Sequence, residues 1–297
     1  MKILVTGASG FIGRNVVEYL RERHEVLAPP HRELELTDDR AVRTWLRAHP
    51  VDAVVHGAVR PGHRNAADPS NQLWTNLRML FNLTRNRDRF GRLIFLSSGA
   101  AYDMRHSLSR APESYFDACV PMDEHGFSKY VISTYLQELA GTAGSGNVEL
   151  RLFGVFGKYE NYAIRFVSNA ICKCICDLPI TLRQNRRFSY LFIDDLMPIL
   201  DWCLEGHHQH VAYNAVPPWT DDLYDLAQAV RSRSGKDLPI LVTEDGLGLE
   251  YSGDSTRLCA EMPGMKFTPT EAAIDQLFDW YAKLGDQLDR SLLDIDK

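Results

Sequence analysis

The stretch "KILVTGASGFIGRNVVEYL", Lys2 to Leu20, decides how the rest of the chain is read. Ile3, Leu4 and Val5 form a short apolar run that ends at Gly7, the pattern of a strand buried on both faces. From Phe11 the apolar positions take helical spacing, with Val16, Val17 and Leu20 on one face. Gly7, Gly10 and Gly13 punctuate the junction. Gly7 permits a tight turn, Gly10 lets backbone approach a pyrophosphate, and Gly13 lets the helix pack on the strand. The helix N-terminus then offers unpaired N–H groups to an anion. A bound dinucleotide is the expectation, with a purely structural glycine turn as the alternative. Ser9, Phe11, Ile12 and Arg14 share the loop and are expected at the ligand with the glycines.

The same alternation repeats outward. "EVLAPP" reads as a second strand, "DDRAVRTWLRAHP" as a helix capped by Asp38 or Asp39, and "VDAVVHGAV" as a third strand. A long amphipathic helix lies in "DPSNQLWTNLRMLFNLTRNR". "RLIFLSSGAAYD" is a fourth strand with its exit loop, "GFSKYVISTYLQELAG" a helix, and "VELRLFGVFG" a fifth strand. Such alternation implies a parallel sheet with helices on both faces, doubly wound by the right-handed crossover rule. Beyond Gly157 the pattern loosens into helical "NYAIRFVSNAICKCI", strand-like "RRFSYLFIDDL", and two further helices. "FIDDL" is expected to cap a helix with Asp194 or Asp195. The expected fold is therefore α/β, a Rossmann-like doubly wound parallel sheet with a smaller mixed C-terminal substrate-binding domain. Residues 1–157 plus about 188–216 would form the first domain, and 158–187 plus 217–297 the second, with a cleft where the strands end.

Composition narrows the function classes. The chain has 297 residues, 45% hydrophobic, and a net charge of −6. That charge argues against a nucleic-acid or anionic-membrane surface. No apolar run approaches the roughly 18–20 residues of a membrane span. The glycines in the first ten residues suit a strand and turn better than a secretory signal, so a cytoplasmic location is expected. Six cysteines include the cluster "CKCIC", whose alternate spacing lacks the geometry of a zinc knuckle and reads as small apolar residues. "GHHQH" reads as a loop, and no metal is expected.

The glycine spacing G-x-x-G-x-x-G, "VVHGAV", Asn76, "SSGAAY", "GFSKY", "RLFGVFG" and "FIDDL" together resemble the extended short-chain dehydrogenase/reductase family. This is the NAD-dependent epimerase/dehydratase branch, whose substrates are sugar nucleotides. "HRELELTDDRAV" and "GKYENY" look most like its GDP-L-fucose synthases. The resemblance implies Ala58 and Asp38 at the cofactor, with Asp38 also able to serve as an N-cap. An acid ending the second strand would favour NAD(H), but "VLAPPHREL" has none before Glu33. Arg14, His31 and Arg32 would suit a 2′-phosphate, so NADP(H) is preferred and NAD(H) remains the alternative.

The resemblance also implies three catalytic positions. Ser98 would hold a substrate oxygen and Lys129 the nicotinamide ribose. His125 stands where the family has a tyrosine, four residues before Lys129 on the same helical face. An imidazole has an ordinary pKa of about 6.5, lowered further by a nearby ammonium. Three readings stay open: His125 exchanges the proton, Tyr115 or Tyr102 does so, or the site is silent. Tyr130 lies about 100° round the helix from Lys129. Relative to the family pattern, Ala100 replaces an epimerising cysteine, the epimerising histidine has no counterpart, and Gly99 with Ala100 replace a dehydrating Asp-Glu pair. Gly154 replaces a common substrate-contacting asparagine. The expected activity is reduction of a keto-deoxysugar nucleotide, with a 4-epimerase holding NAD or a silent dinucleotide-binding homologue as alternatives. Asn161, Arg187 and Arg257 are candidates to bind the nucleotide-sugar. A homodimer through the two long helices is expected, with Leu73, Leu77, Leu80, Tyr130 and Leu136 as contacts and burial within one subunit as the alternative.

Overall fold

The computed structural model describes residues 1–60, 70–140 and 146–293. The first half runs β1 (Lys2–Thr6), α1 (Phe11–Leu20), β2 (Glu25–Leu27), α2 (Asp39–Ala48), β3 (Ala53–His56), α3 (Gln72–Thr84), β4 (Arg92–Ser98), β5 (Leu108–Ala111) and α4 (Glu124–Ala140). It continues with β6 (Asn147–Leu152), β7 (Gly154–Phe156), α5 (Phe166–Ile175), β8 (Ile180–Asn185), β9 (Arg187–Phe188), β10 (Tyr190–Phe192) and α6 (Leu196–Glu205). β11 (Ala212–Asn214), β12 (Asp221–Asp222), α7 (Leu223–Ser234), β13 (Ile240–Leu247), β14 (Tyr251–Gly253), α8 (Thr256–Glu261) and α9 (Thr270–Ala282) complete it.

Six strands form one sheet in the order β11-β6-β4-β3-β1-β2, every pair parallel. Side chains of a strand alternate between faces, and the core divides accordingly. Ile3 and Val5 of β1 pack with α1 and α6 in one cluster. Leu4 packs with Val42 and Leu46 of α2, Leu80 and Leu83 of α3, and Ile132 and Leu136 of α4 in the other. The sheet is thus covered on both faces, as expected. Chain order reverses between β1 and β3, and the crevice beyond their C-terminal ends is where such sheets take ligands.

The burial corrects the dimer expectation at two positions. Leu80 and Leu136 are fully buried against the sheet of their own chain, so they are not available to a partner. Leu73, Leu77 and Tyr130 are half-buried. The fifth strand is also shorter than its sequence pattern. It stops at Leu152, and Gly154–Phe156 pairs instead with Tyr190–Phe192 in a separate two-stranded sheet. The glycine is required there, because a Cβ on Gly154 would stand 2.7 Å from the Tyr190 ring.

Asp38 caps α2, accepting from the Arg40 and Ala41 N–H groups at 2.8 and 3.0 Å. The cap expected at "FIDDL" does not form. The start of α6 has no side-chain cap bond, and Asp195 turns to accept from Thr268 N and Thr268 Oγ1 at 3.0 and 2.7 Å. A buried carboxylate needs hydrogen-bond donors, and Thr268 supplies two of them from the later chain. A four-stranded sheet, β12-β9-β14-β5, collects strands from both halves of the chain beside the end of β4. Cys172 and Cys174 lie buried on α5 as apolar side chains. Among the described residues no helix is long and apolar enough to cross a membrane.

Candidate active site

The Gly7 turn opens on a cavity of about 850 Å³. Gly7 has φ +72°, and a Cβ there would meet the Gly57 backbone at 2.6 Å. A Cβ on Gly13 would stand 2.1 Å from the Gly7 carbonyl oxygen. Both positions therefore demand glycine for the protein's own packing. Gly10 does not. It has φ −80°, and its Cβ would meet only Gly7 O, at an ordinary 3.4 Å. Its bare face lines the cavity, at an α1 N-terminus with no side-chain cap and no acid in the first turn. That cradle fits the phosphates of a dinucleotide.

Ser9, Arg14 and Ala58 line the cavity with these glycines. Phe11 and Ile12 face the core instead and serve the helix start. The Arg14 guanidinium carbon lies over the Tyr159 ring, 3.6 Å from its centroid, and Arg14 faces Glu18 at 3.7 Å. The cavity floor beyond β2 is Ala28, Pro29 and Pro30, without an acid. Glu35 lines it too, but Thr37 and His31 already occupy its carboxylate. Arg21, which the sequence reading missed, also lines the cavity; its place one helical turn beyond Glu18 on the Arg14 face was the available signal. Arg32 is exposed, and neither it nor Asp38 belongs to the lining.

β4 delivers Ser98 at its C-terminal end. Ser98 Oγ accepts from Ala100 N–H at 3.1 Å, capping the 3₁₀ turn Gly99–Tyr102. α4 is pressed onto that turn. A Cβ on Gly126 would stand 2.9 Å from Ala100 O and 2.8 Å from Pro121 Cβ, so only glycine lets the helix start there. Asp123 fixes the start by accepting from Gly126 N–H at 2.8 Å. The structure thereby brings the turn after Ser98 against the helix that carries His125 and Lys129.

Lys129 is only 4% exposed, with its ammonium 4.8 Å from the Phe95 ring centroid. Burial lowers its pKa to about 8, against the opposing pull of Glu149. His56, buried beside it, is held down at about 3 by burial and by the Lys129 charge. His56 is therefore neutral, and its Nδ1 pairs with Thr6 Oγ1 at 2.7 Å. His125 is half-buried in the first turn of α4, and its carbonyl accepts from Ser128 Oγ at 2.8 Å.

The rival tyrosines separate. Tyr102 is 1% exposed, donates to Asn214 Oδ1 at 2.7 Å and accepts from Arg151 Nη1 at 2.7 Å. Burial pushes its pKa up to about 12, so it is a structural phenol rather than a proton donor. Tyr130 donates to Asp117, away from Lys129. Tyr115 is half-buried and packs on the Tyr102 cluster. A phenol that the sequence reading missed lies beside Ser98. Tyr251 OH lies 3.3 Å from Ser98 Oγ, brought there by β14 from 153 residues away. No local motif announces a contact of that span.

The three substrate candidates lie apart from this centre in their contacts. Asn161 is exposed and accepts from Ala163 N–H at 3.0 Å. Arg187 is exposed and bonds Asp222 at 3.4 Å. Arg257 donates to Ala212 O at 2.9 Å and faces Glu113 at 3.7 Å. Among the described residues one donor triad, Asp103, His106 and Cys119, is close enough to share a metal. Arg105 already holds both Asp103 oxygens at 2.6 to 3.0 Å, which argues against one.

Residues 3–215 match the model of the NAD dependent epimerase/dehydratase family. The chain belongs to that family. Over 106 residues, 34% of this chain and 34% of the relative, it is 37% identical to a GDP-L-fucose synthase of Azorhizobium caulinodans. Over 262 residues it is 25% identical to a UDP-2-acetamido-2,6-beta-L-arabino-hexul-4-ose reductase of Pseudomonas aeruginosa, covering 87% of this chain and 64% of that one. The chain thus spans about a third of the first relative's length and under two thirds of the second's. Among solved structures, a GDP-mannoheptose C4 reductase of Campylobacter jejuni with NADP bound superposes with TM-score 0.81 at 17% identity, over 95% of this chain and 98% of that one. That likeness is one of fold.

Proposed function

We propose that this chain is an NADP(H)-dependent reductase acting on the carbonyl of a keto-deoxysugar nucleotide. The observation that carries the reading is the turn after Ser98. Its serine hydroxyl stands ready to hold a carbonyl oxygen, while the next two positions are sealed: Gly99 by the Phe153 ring and Ala100 by burial to 2% exposure. A polarising hydroxyl followed by Gly99 and Ala100, with no carboxylate or thiol at those two positions, suits hydride addition rather than dehydration or epimerisation at carbon.

The bound nicotinamide would supply the hydride. The Gly7–Gly10 turn and the α1 N-terminus would hold its pyrophosphate, with Arg14 and His31 near a 2′-phosphate and Lys129 on the ribose. Ser98 would donate to the substrate carbonyl, and His125 would deliver the proton directly or through a water. Asn161, Arg187 and Arg257 are proposed for the nucleotide end, with the two arginines first leaving their present acidic partners. Relatives named a GDP-L-fucose synthase and a UDP-linked hexul-4-ose reductase support a sugar-nucleotide substrate, the second of them a keto-sugar. The two-domain division, a cytoplasmic location and a homodimer through α3 and α4 belong to the same proposal.

Purified protein mixed with NADPH or NADH and a panel of 4-keto-6-deoxy sugar nucleotides tests it. Oxidation of NADPH in preference to NADH, with appearance of the hydroxy sugar, is the expected result. Tightly retained NAD+ with interconversion of 4-epimers would instead make it an epimerase. Tight cofactor binding without turnover on any substrate would mark a silent homologue.

A further inference from the structure

We propose that Tyr251 is a positioning residue that turns the Ser98 hydroxyl toward the substrate. The inference deepens the reductase reading and rests on it. It starts from a count of donors and lone pairs. A serine hydroxyl has one hydrogen and two acceptor sites. One acceptor site of Ser98 Oγ is taken by Ala100 N–H at 3.1 Å. The remaining neighbour is Tyr251 OH at 3.3 Å, and the direction of that bond decides what Ser98 can do.

If Ser98 donates to Tyr251, its only hydrogen is spent inside the protein and none is left for a carbonyl. If Tyr251 donates, both acceptor sites of Ser98 are filled and its hydrogen must point outward. The surroundings choose the second arrangement. Tyr251 is 7% exposed and packed between Phe153 at 4.9 Å and Phe188 at 5.8 Å. Among the described residues Ser98 Oγ is the hydrogen-bond partner of the phenol oxygen, and so the acceptor available to it. A buried O–H left without an acceptor is costly, so the phenol donates. Burial also raises the Tyr251 pKa, so the hydroxyl keeps its proton and acts as a fixed donor rather than an acid. Donation into Ser98 polarises the serine O–H and makes it the stronger donor to a carbonyl.

The local sequence is built for this placement. Cβ atoms on Gly99 and Gly253 would stand 2.7 and 2.6 Å from the Phe153 ring, so the two glycines admit the ring that supports Tyr251. The Tyr251 backbone is fixed as well, its carbonyl accepting from Ser189 N–H at 3.2 Å within the sheet that pairs β14 with β9 and β5.

The test uses Tyr251→Phe, which keeps the ring and removes the donor, with Ser98→Ala and the double variant. The expected result is a kcat fall of roughly ten- to hundred-fold for Tyr251→Phe, the loss of one buried orienting hydrogen bond, with the KM for NADPH unchanged. In the Ser98→Ala background Tyr251→Phe adds no further loss, because it acts only through that hydroxyl. An unchanged kcat, or additive losses, overturns the proposal. Neutron diffraction from a deuterium-exchanged crystal is the second measurement and needs no turnover. A Tyr251 deuteron on the line to Ser98 Oγ is expected; a Ser98 deuteron on the line to Tyr251 overturns it. If the wild-type protein reduces no keto-sugar nucleotide, the functional reading falls by itself, and the deuteron positions still decide the orientation.

Discussion

The ring of Phe153 comes within 2.7 Å of the point where a Cβ on Gly99 would stand. The position beside the polarising serine is thus closed by packing. Gly99→Ala is expected to cost about 1–3 kcal/mol through overpacking. Phe153→Leu in the same chain should recover part of that loss. Urea midpoints of the single and double variants check both, and a Gly99→Ala chain as stable as wild type would show that the ring yields freely.

Gly10 and Gly13 answer to different masters. Gly13→Ala drives a Cβ into backbone at 2.1 Å and should destabilise the fold, with a lower thermal midpoint. Gly10→Ala meets only ordinary contact and has an unstrained φ, so the midpoint should hold while dinucleotide affinity collapses. Calorimetric titration with NADPH, alongside thermal melts, separates the two effects.

Buried Lys129 makes stability rise with pH on the alkaline side. Its pKa is about 8 folded against 10.5 unfolded. Below the lower value both states carry the proton, and the folded state bears the cost of a buried ammonium. Between the two values the folded chain releases its proton first, so stability climbs across that window. Lys129→Met should therefore stabilise the apoprotein at about pH 7 by on the order of 3 kcal/mol, with the gain fading toward pH 10.5. Cofactor affinity of the wild type should weaken above about pH 8 as the ammonium is lost. His56 acts at the other end. Its pKa is about 3 folded against 6.5 unfolded, so it removes stability as pH falls through that interval. Chemical denaturation across pH tests each limb.

His125→Phe should lower kcat by roughly 10²–10⁴-fold, the span of general acid catalysis, and leave NADPH binding nearly intact. Unchanged turnover would assign the proton to water or another group.

Arg14→Ala should weaken NADPH binding by roughly tenfold, about one charge-assisted contact, while NADH binding changes little. Equal losses for both cofactors would place Arg14 at the shared pyrophosphate instead.

The chain's local patterns carried the architecture. Alternating strands and helices, the three glycines of the first turn, Asp38 as a cap and the family motifs are all short-range signals, because they depend on periodicity and on the backbone each residue tolerates. The places of Ser98 at the end of β4 and Lys129 on α4 were legible for the same reason, each held at a fixed offset within one element. What lay beyond reach was long-range. The sequence did not show that Leu80 and Leu136 face their own sheet, that Asp195 reaches Thr268, or that Tyr102 is spent on Asn214 and Arg151. Nor did it show why Gly99 and Gly154 depart from the family pattern, since the rings of Phe153 and Tyr190 that fill their places meet them only after folding. Tyr251 is the clearest case. Its contact with Ser98 spans 153 residues and joins two sheets, so strand pairing decides it and no local preference encodes it.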